Sequence, residues 1–379
     1  MDKQAWKEQV VATVNAMAPE LTEISLFLHK NPELGGKEYQ AARLLATAAE
    51  RRGFSVKKNI GGYETAFIAK KGNNGPKIAF LAEYDALPEL GHACGHNLIA
   101  AMSWGAAAAF ASVAGERASS YFIGCPAEET SGAKVTMAAD GIFDGLAAAL
   151  IVHPADGNYL GGTSYASHPL RVTFHGHPAH VASKTNKGVN ALDALVMFYQ
   201  GIKTLRHTFT QETILAGIIT KGGAAPNIVP DEAEAKFTIR ALSSCYLENT
   251  VIPAVRQLAE GIALATGTSV EMVHYEPLFK ELINAQRLME LFKNNMTLLG
   301  EQVKFLGPED ADGSTDVGNV SHATPTIHPD INIGCNLAAH TPLFAIAAGS
   351  DYAQERLLVG AKAMAMTAVD LVDWQASGE

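Results

Sequence analysis

Between Lys77 and about Pro154, short apolar runs alternate with helical patterns. The runs KIAFLA, SSYFIGCP and AALIVHP are typical of strands, and the two segments between them are typical of helices, the first of which is rich in alanine. This order indicates an α/β sheet covered by helices on both faces. Ligands bind such sheets at the carboxyl ends of the strands. Functional residues are therefore expected directly after the apolar runs.

The pattern changes near Gly161. Residues 168–277 show a strand, a helix, two strands joined by a Gly/Pro-rich connection, a long helix and a last strand. This β-α-β-β-α-β order is that of the split, ferredoxin-like unit. The first pattern then resumes and ends in a helix from about Asp351 to Trp374. We predict an α/β domain in two parts, 1–167 and 278–379, interrupted by a smaller α+β domain at 168–277.

Composition restricts the partners and the compartment. The chain has 379 residues, 47% of them hydrophobic and 18% charged, so it folds around a sizeable core. Its net charge of −10 argues against nucleic acid and anionic membranes as partners and favours a small molecule or a protein. Four scattered cysteines do not resemble a disulfide framework, and the N-terminus lacks the layout of a signal peptide. We therefore expect a cytoplasmic protein.

One uncharged run, Leu98 to Gly115, has 18 residues and is at the lower length limit for crossing a bilayer. Eight of these residues are alanine, and serine and glycine make the run only weakly hydrophobic. Membrane spans are richer in leucine and isoleucine. We interpret this run as a close-packed core helix.

Metal-binding residue types cluster after the first apolar run. The segment LAEYDALPELGHACGHN holds Glu83, Asp85, His92, Cys94 and His96. Thiolate, imidazole and carboxylate are the ligands that divalent transition metals take. A Cys-x-His pair by itself could equally be a buried thiol beside an exposed imidazole, so the pair needs support from other donors.

The next two apolar runs bring such support. Glu128 and Glu129 follow the second run, and His153 ends the third. Adjacent carboxylates repel each other unless a cation or a proton lies between them. They could form a solvated acidic loop, or one could bind a metal ion while the other moves a proton. Donors at three strand ends favour the metal site.

Motifs along nearly the whole chain make a family resemblance clear. They occur in the order LHKNPELGGKE, EYDALPELGHACGHNLIA, PAEE with GAKVTMAADGIFD, IVHP, GHPAHVAS with GVNALDA, PNIVPDEAEAKFTIRA, and GSTDVGNVSHATPTIHP with AAHTPLFAIAAGS. The chain resembles the dinuclear-metal amidohydrolases of the aminoacylase, carboxypeptidase and dipeptidase family. Within this family it is similar to the branch of aminobenzoyl-glutamate hydrolase and the aminoacylase-like dipeptidases.

The resemblance implies a fold and a metal centre. The fold would be a zinc-peptidase-like catalytic domain, a mixed sheet flanked by helices, with an inserted ferredoxin-like lid and dimerisation domain. The cofactor would be two divalent metal ions, zinc or manganese, with cobalt also compatible. The implied metal ligands are Cys94, His96, Glu129, His153 and His340.

The resemblance also implies roles for two further carboxylates. Glu128 would deprotonate a water between the metals and later protonate the leaving amine. Asp85 would orient a His ligand without binding the metal itself. Many relatives carry a metal-binding His two residues before this Asp, where this chain has Glu83. The dipeptidase-like branch also lacks that His and uses the Cys-Gly-His turn.

Residues of the inserted domain and of a later loop are implied to meet the substrate. His180 of GHPAHVAS would stabilise the oxyanion, often across a dimer interface in relatives. Asn227 and Arg240 would contact the substrate's amide and free carboxylate. Without the resemblance, His180 could be a histidine at a strand edge with no functional role, and Arg240 could be a surface ion-pair partner. The run GSTDVGNVSH would supply Ser314 and Thr315 on the substrate side, together with Asp316 near the metals.

The remaining histidines and thiols are weaker candidates for the site. His322 and His328 are weaker ligand candidates than His340, which precedes Thr341-Pro342 and a predicted helix. Buried, inert thiols are expected at Cys125, Cys245 and Cys335.

The predicted function is metal-dependent hydrolysis of the amide bond in a dipeptide or N-acyl amino acid with a free carboxylate. The enzyme would be a homodimer through its inserted domain. Alternatives within the family are a strict aminoacylase and an aminobenzoyl-glutamate-type hydrolase. A binding protein that has lost catalysis is a further alternative, opposed by the presence of Glu128 and the five ligands. A structural zinc protein is disfavoured because its ligands usually lie at short spacings.

Overall fold

The protein is described by a computed structural model that covers residues 2–372. The chain divides into two compact units. Of the described residues, the first comprises 2–163, 282–311 and 316–372, and the second comprises 164–281 and 312–315. The predicted inserted segment, 168–277, lies within the second unit. The four residues 312–315 also belong to that unit, because the Tyr165 amide donates to the Gly313 carbonyl at 3.0 Å.

Helices and strands are numbered along the whole chain. The first unit contains α1 (Lys3–Lys30), α2 (Tyr39–Arg51), β1 (Ser55–Ile60), β2 (Tyr63–Lys71), β3 (Lys77–Ala82), α3 (His96–Ala114), β4 (Ser119–Gly124), α4 (Ala133–Ala139), β5 (Ala148–Leu150), β6 (His153–Ala155), β7 (Tyr159–Gly161), α8 (Gln286–Leu298), β12 (Lys304–Leu306), α9 (Val317–Ser321), β13 (Thr326–Ile327), β14 (Asp330–Asn332), α10 (Pro342–Ala348) and α11 (Asp351–Asp370). The second contains β8 (Ala166–His175), α5 (Ala191–Leu205), β9 (Thr213–Lys221), β10 (Glu232–Ala241), α6 (Ser244–Tyr246), α7 (Ile252–Thr266) and β11 (Ser269–His274).

The first unit is built on a six-stranded sheet in the order β1-β2-β4-β3-β5-β13. Strands β4, β3, β5 and β13 are parallel, while β1 and β2 pair in the antiparallel sense. The sheet is therefore mixed, as expected. Five of the six residues of β3 are buried, which is typical of a parallel strand covered on both faces. The parallel strands bring their carboxyl ends to one edge.

Helix α3 is the centre of the helical layer. It packs against β3 and β4 on one side and against α1 and α11 on the other. Gly105 allows this close approach, since a Cβ there would lie 2.7 Å from Leu21 Cδ1 and 3.2 Å from Ala361 Cβ. By length and composition α3 could cross a membrane, but 83% of the relevant window is buried inside the protein. This burial agrees with the predicted core helix.

The second unit has the split topology predicted from its sequence. Its four strands lie in the order β11-β8-β10-β9, and every neighbouring pair is antiparallel. Helices α5 and α7 pack on each other and contact the sheet. The alternating burial along β10 indicates one covered face. Its separate core includes Phe174, Phe198 and Phe237. Strand β9 is an edge strand.

The structure corrects two expectations about thiols and helix ends. Cys125 is buried as expected, but the prediction of buried thiols at Cys245 and Cys335 is wrong, because both are exposed. Cys245 lies on the short surface helix α6, and Cys335 lies in a loop after β14. The last helix, expected to reach Trp374, ends at Asp370; Trp374 lies outside the described residues.

A buried guanidinium joins three segments of the first unit. Arg356 on α11 donates to both carboxylate oxygens of Glu301, at 2.5 and 2.8 Å. It also donates to the carbonyl of Asn332 at 3.1 Å and to the side chain of Asn158 at 3.3 Å. The hydrogen bonds from Arg356 hold the pKa of Glu301 below its ordinary value of 4.5. The pair therefore contributes stability above about pH 4.5.

We predict that Glu301→Gln lowers the free energy of unfolding by about 1–3 kcal/mol at pH 7, because a charge-assisted bidentate pair is lost. The folded-state pKa of Glu301 is depressed, so the wild-type advantage disappears as the pH falls through that value. Urea unfolding at pH 7 and pH 3.5 measures both effects. Glu50→Gln, which removes an exposed pair with Lys58, is the control and has little effect. An equal loss at both pH values would contradict the prediction.

Candidate metal centre

The candidate site lies at the carboxyl edge of the parallel strands. Glu83 and Asp85 follow β3, Glu128 and Glu129 follow β4, His153 comes shortly after the end of β5, and His328 directly follows β13. Neighbouring parallel strands end at the same edge, so residues far apart in sequence lie close together. This edge is where the sequence predicted functional residues.

A tight turn supplies two of the donors. His96 is the first residue of α3, and Gly95 before it has φ of 77°. A Cβ at Gly95 would lie 2.4 Å from Pro154 Cγ and 3.3 Å from the ring of Phe344. Only glycine suits both this backbone conformation and this space. The turn therefore presents Cys94 and His96 together.

Asp85 holds two of the candidate ligands. Its Oδ1 lies 3.0 Å from His96 Nδ1, and its Oδ2 accepts the backbone amide of Glu129 at 2.9 Å. With Nδ1 donating to the carboxylate, Nε2 of His96 is left with its lone pair for another partner. Asp85 thus fixes a ring from one loop and a backbone from another.

All five predicted ligands come together in the first unit. Ligand atoms of Cys94, His96 and His153 lie within 4.8 Å of one another, and so do those of Cys94, Glu129 and His340. Cys94 therefore belongs to both groups. His153 Nε2 lies 3.4 Å from Cys94 Sγ, and His340 Nε2 lies 3.2 Å from Glu129 Oε1. Donors that converge in two overlapping groups can hold two ions.

Glu128 lies at the same place. Its carboxylate forms a third group with His96 and Glu129, again within 4.8 Å. Burial raises the pKa of Glu128 well above its ordinary value, and Glu83, Asp316 and Glu129 raise it further, while Lys134 lowers it. Bound cations would oppose this rise. A carboxyl group poised in this way is suited to accept and return a proton.

The donor chemistry fits a metal. Nε2 of His96 and Oε1 of Glu129 are buried and make no hydrogen bond within the described residues, although Oε1 lies 3.2 Å from Nε2 of the exposed His340. Buried polar atoms normally have partners, so these two atoms are suited to bind an ion. Burial lowers the pKa of His153 to about 3, aided by His328 and His96, so its imidazole is neutral as a ligand must be. The thiol, imidazole and carboxylate set fits zinc, manganese or cobalt.

His340 combines a strained backbone with an exposed side chain. It has φ of 62°, a left-handed conformation rare for residues other than glycine, and its amide donates to the carbonyl of Ala93 at 2.9 Å. Its side chain is 53% exposed. Such backbone strain persists where the surrounding structure imposes it, commonly at functional sites. His340 is therefore a ligand candidate on the open side of the site.

A buried ion cluster lies behind the donors. Lys134 is fully buried, and its Nζ lies 2.7 Å from Glu83 Oε1 and 2.5 Å from Asp316 Oδ1. Asp316 Oδ2 also accepts the amide of Lys134 at 3.0 Å. Burial raises the pKa of Glu83, but Lys134 and two histidines outweigh it and hold the value at about 2. Glu83 is thus an anion held by Lys134, 3.5 Å from His96 Nε2.

Two further residues lie here that the sequence did not single out as parts of the site. His328 is half-buried, its ring centroid lies 5.5 Å from that of His153, and its buried Nε2 has no hydrogen-bond partner within the described residues. Lys134 lies in the motif GAKVTMAAD, but lysine is ordinarily exposed, so nothing in the sequence indicated a buried ammonium. His322, at the end of α9, belongs to none of the donor groups found among residues 2–372.

In the second unit, the structure brings His180 and Asn227 together. The Val181 amide donates to the Asn227 carbonyl at 3.1 Å, and His180 bridges to Ile228. Both residues are exposed. His180 Nδ1 accepts the amide of Ala182 at 3.2 Å, so Nε2 carries the proton and can donate it in a hydrogen bond.

The other predicted substrate residues also lie in the second unit. Arg240 is half-buried on β10, and its Nε makes no hydrogen bond within the described residues. No ion pair of Arg240 occurs among the described residues. Ser314 Oγ is likewise buried without a hydrogen-bond partner among residues 2–372. Thr315 follows it in the 312–315 segment.

Comparison with known proteins agrees with this arrangement. Residues 166–259 match the model of the peptidase dimerisation domain. The chain is 34% identical to the Xaa-Arg dipeptidase of Mus musculus, over 97% of this chain and 89% of that protein. It is also 34% identical to one component of the p-aminobenzoyl-glutamate hydrolase of Escherichia coli, over 66% of this chain and 56% of that protein.

Solved structures share the fold. A dinuclear metal binding peptidase of the M20 family from Bacillus subtilis superposes with a TM-score of 0.71 at 20% identity, over 95% of this chain and 99% of that one. A putative aminohydrolase from methicillin-resistant Staphylococcus aureus gives 0.81 at 20% identity, over 97% and 100%. The fold, the converging donors and the extent of the sequence match lead to one conclusion: the chain belongs to the M20 peptidase family of metal-dependent amide-bond hydrolases.

Proposed function

We propose that this enzyme hydrolyses dipeptides, and secondarily N-acyl amino acids, that carry a free carboxylate. The observation that carries the proposal is the convergence of Cys94, His96, Glu129, His153 and His340 on one place, with Glu128 beside them. A general base next to two overlapping donor groups is the arrangement of a hydrolytic centre rather than of a structural metal site, whose ligands saturate the ion.

The length of the sequence match favours a dipeptide substrate. The Xaa-Arg dipeptidase matches 97% of the chain, whereas the aminobenzoyl-glutamate hydrolase component matches 66% at the same identity. A dipeptide with a basic carboxy-terminal residue is therefore the first substrate to test. Aryl amides of glutamate are the second candidate because of the other match.

Two divalent cations, when bound by the five donors, would polarise the scissile carbonyl and lower the pKa of water. Glu128 would accept the proton of the attacking water on a carboxylate oxygen and pass it to the nitrogen of the leaving amine. Asp85 would keep the ring of His96 and the backbone of Glu129 in place through its two oxygens.

Residues of the second unit would bind the substrate. We assign His180 the stabilisation of the oxyanion, because its Nε2–H is free to donate when Nδ1 accepts the Ala182 amide. Arg240 would bind the free carboxylate, supported by its half-buried, unpaired Nε. Asn227 would contact the substrate's amide, and Ser314 with Thr315 would line the substrate side.

A homodimer through the second unit is proposed on two grounds. Its matched family model is a dimerisation domain. In addition, the edge strand β9 exposes Ile218 and Ile219 at 66% and 44%, and the neighbouring helix α5 exposes Met197 at 49%. Unprotected apolar edge strands pair with other chains. Pairing β9 with its symmetry mate would satisfy the edge and cover these side chains.

We also propose a cytoplasmic location. All four cysteines are free thiols, and Cys94 must stay reduced to bind a metal. Reducing compartments preserve such thiols.

The first prediction from the proposed function tests catalysis. Chelated protein restored with zinc, manganese or cobalt should release amine from dipeptides with a basic carboxy-terminal residue. Glu128→Gln should lower kcat by about 10²–10⁴-fold while elemental analysis finds the metal content unchanged, because proton transfer alone is removed. Glu129→Gln is the contrasting variant and should lose metal. Wild-type activity retained by Glu128→Gln would disprove the role of this carboxylate.

The second prediction concerns the carboxylate contact. Arg240→Leu should lower kcat/KM by about 10–100-fold, since a hydrogen bond to a charged group is worth about 1.5–3 kcal/mol. The measurement compares a dipeptide with the same dipeptide amidated at its carboxy terminus. The wild type should prefer the free acid, and the variant should lose that preference. A preference kept by Arg240→Leu would place the carboxylate elsewhere.

The third prediction concerns assembly. Size-exclusion chromatography with light scattering should give twice the chain mass of 40.1 kDa. Ile218→Lys should shift the protein to the monomer by placing charge on the edge of the sheet. Leu264→Lys, at a residue that is 86% exposed on α7, is the matched control and should stay dimeric. A dimer that survives Ile218→Lys would rule out this edge as the interface.

A further inference from the structure

The residue before the candidate base has a strained backbone. Ala127 has φ of 59°, in the left-handed region that residues with a Cβ seldom adopt. Such a residue costs about 1–3 kcal/mol and persists only where its surroundings hold it. Its carbonyl accepts the amides of Gly132 at 2.7 Å and Thr130 at 3.3 Å. The direction in which the chain enters Glu128 therefore depends on how Ala127 is held.

A buried carboxylate from a distant segment holds the amide of Ala127. Glu38 is fully buried, and its Oε1 accepts the Ala127 amide at 2.7 Å across 89 residues of sequence. The same oxygen accepts the amide of Gly36 at 2.9 Å, and Oε2 accepts the hydroxyl of Thr65 at 2.9 Å. Glu38 thus satisfies three donors on three segments of the first unit.

This carboxylate is costly to bury. Burial raises the pKa of Glu38, and Asp85 raises it further. No lysine, arginine or histidine forms an ion pair with it among residues 2–372. A buried charge without a cation is retained only when its hydrogen bonds are worth the desolvation, and here the shortest of them reaches the Ala127 amide.

The segment around Glu38 fits closely against the same loops. Gly35 leaves no space for a Cβ, which would lie 2.2 Å from Thr130 Oγ1 and 3.1 Å from Ala127 Cα. The Ala86 amide donates to the carbonyl of Glu33 at 2.8 Å. Residues 33–38 therefore contact both the loop that carries Glu128 and the loop that carries Asp85.

We propose that Glu38 is a positioning residue for the base: by holding the amide of Ala127 it fixes the strained turn that directs Glu128 into the site. This inference rests on the proposed hydrolytic function. It assigns a role to the motif NPELGGKE, whose last glutamate, Glu38, lies far from Glu128 in sequence. What matters is an acceptor oxygen at the right reach, and the charge itself is dispensable.

Three variants distinguish the effect of the length of the side chain at position 38 from the effect of its charge. Glu38→Gln keeps an oxygen for the two amides, and its NH₂ group can donate to the Thr65 hydroxyl. Glu38→Asp keeps the charge but is one methylene shorter, so it no longer reaches the Ala127 amide. Thr65→Val removes the third hydrogen bond of Glu38 and leaves the Ala127 contact intact, which makes it the matched control.

The test measures kcat, KM, metal content and thermal unfolding on the full chain, using whichever substrate the wild type cleaves. Glu38→Asp should lower kcat by about 100-fold, the size expected for a small displacement of a catalytic group, with KM and metal content nearly unchanged. Glu38→Gln and Thr65→Val should retain kcat to within about tenfold, even if they unfold at a lower temperature.

A double-mutant cycle then tests the link to the base. In the Glu128→Gln background, Glu38→Asp should cause little further loss of kcat, because the group that it positions is already disabled. An equal loss in both backgrounds, or loss in Glu38→Gln with activity kept in Glu38→Asp, would overturn the proposal. Wild-type protein that binds metal but cleaves no substrate would instead disprove the hydrolytic function, so the two failures are distinguishable.

Discussion

A concentration of acidic side chains at one edge of a parallel sheet is the constraint on which the site depends. Carboxylates of Glu83, Asp85, Glu128, Glu129 and Asp316 and the thiol of Cys94 all lie there, most of them with little exposure to water. Lys134 neutralises part of this charge through Glu83 and Asp316. Burial raises the pKa of the Cys94 thiol and of Glu128, so their anions are disfavoured unless further cations are bound nearby.

Bound metal ions would stabilise these buried anions, and the protein holds the ligands in a fixed geometry for them. Hydrogen bonds hold the candidate metal ligands in place. Asp85 binds the His96 ring and the Glu129 backbone amide, and the Pro154 carbonyl accepts a hydrogen bond from Nδ1 of His153 at 2.8 Å. Such contacts choose the tautomer and the direction of each ligand before the ion arrives. If the loops that carry the ligands were disordered, the free energy of ordering them would weaken metal binding.

Much of this could be predicted from the sequence. Alternating apolar and helical patterns predicted the mixed α/β sheet, and the β-α-β-β-α-β order predicted the split topology of the second unit, which the structure confirms. Residue type and position after an apolar run indicated Glu128, Glu129 and His153. By contrast, exposure of Cys245 and Cys335 was not foreseen, because cysteine is usually buried and composition says nothing about where a single thiol points.

Local sequence determines which segments become strands and helices and which donors follow them, because periodicity and turn residues act over a few positions. Contacts between segments distant along the chain were decided only by the tertiary structure. Lys134 lies between Glu83 and Asp316, and Glu38 reaches the amide of Ala127, through strand order and loop packing that no local pattern encodes. A buried charge is stable only beside its partners, so its role becomes visible only when the fold has brought those partners together.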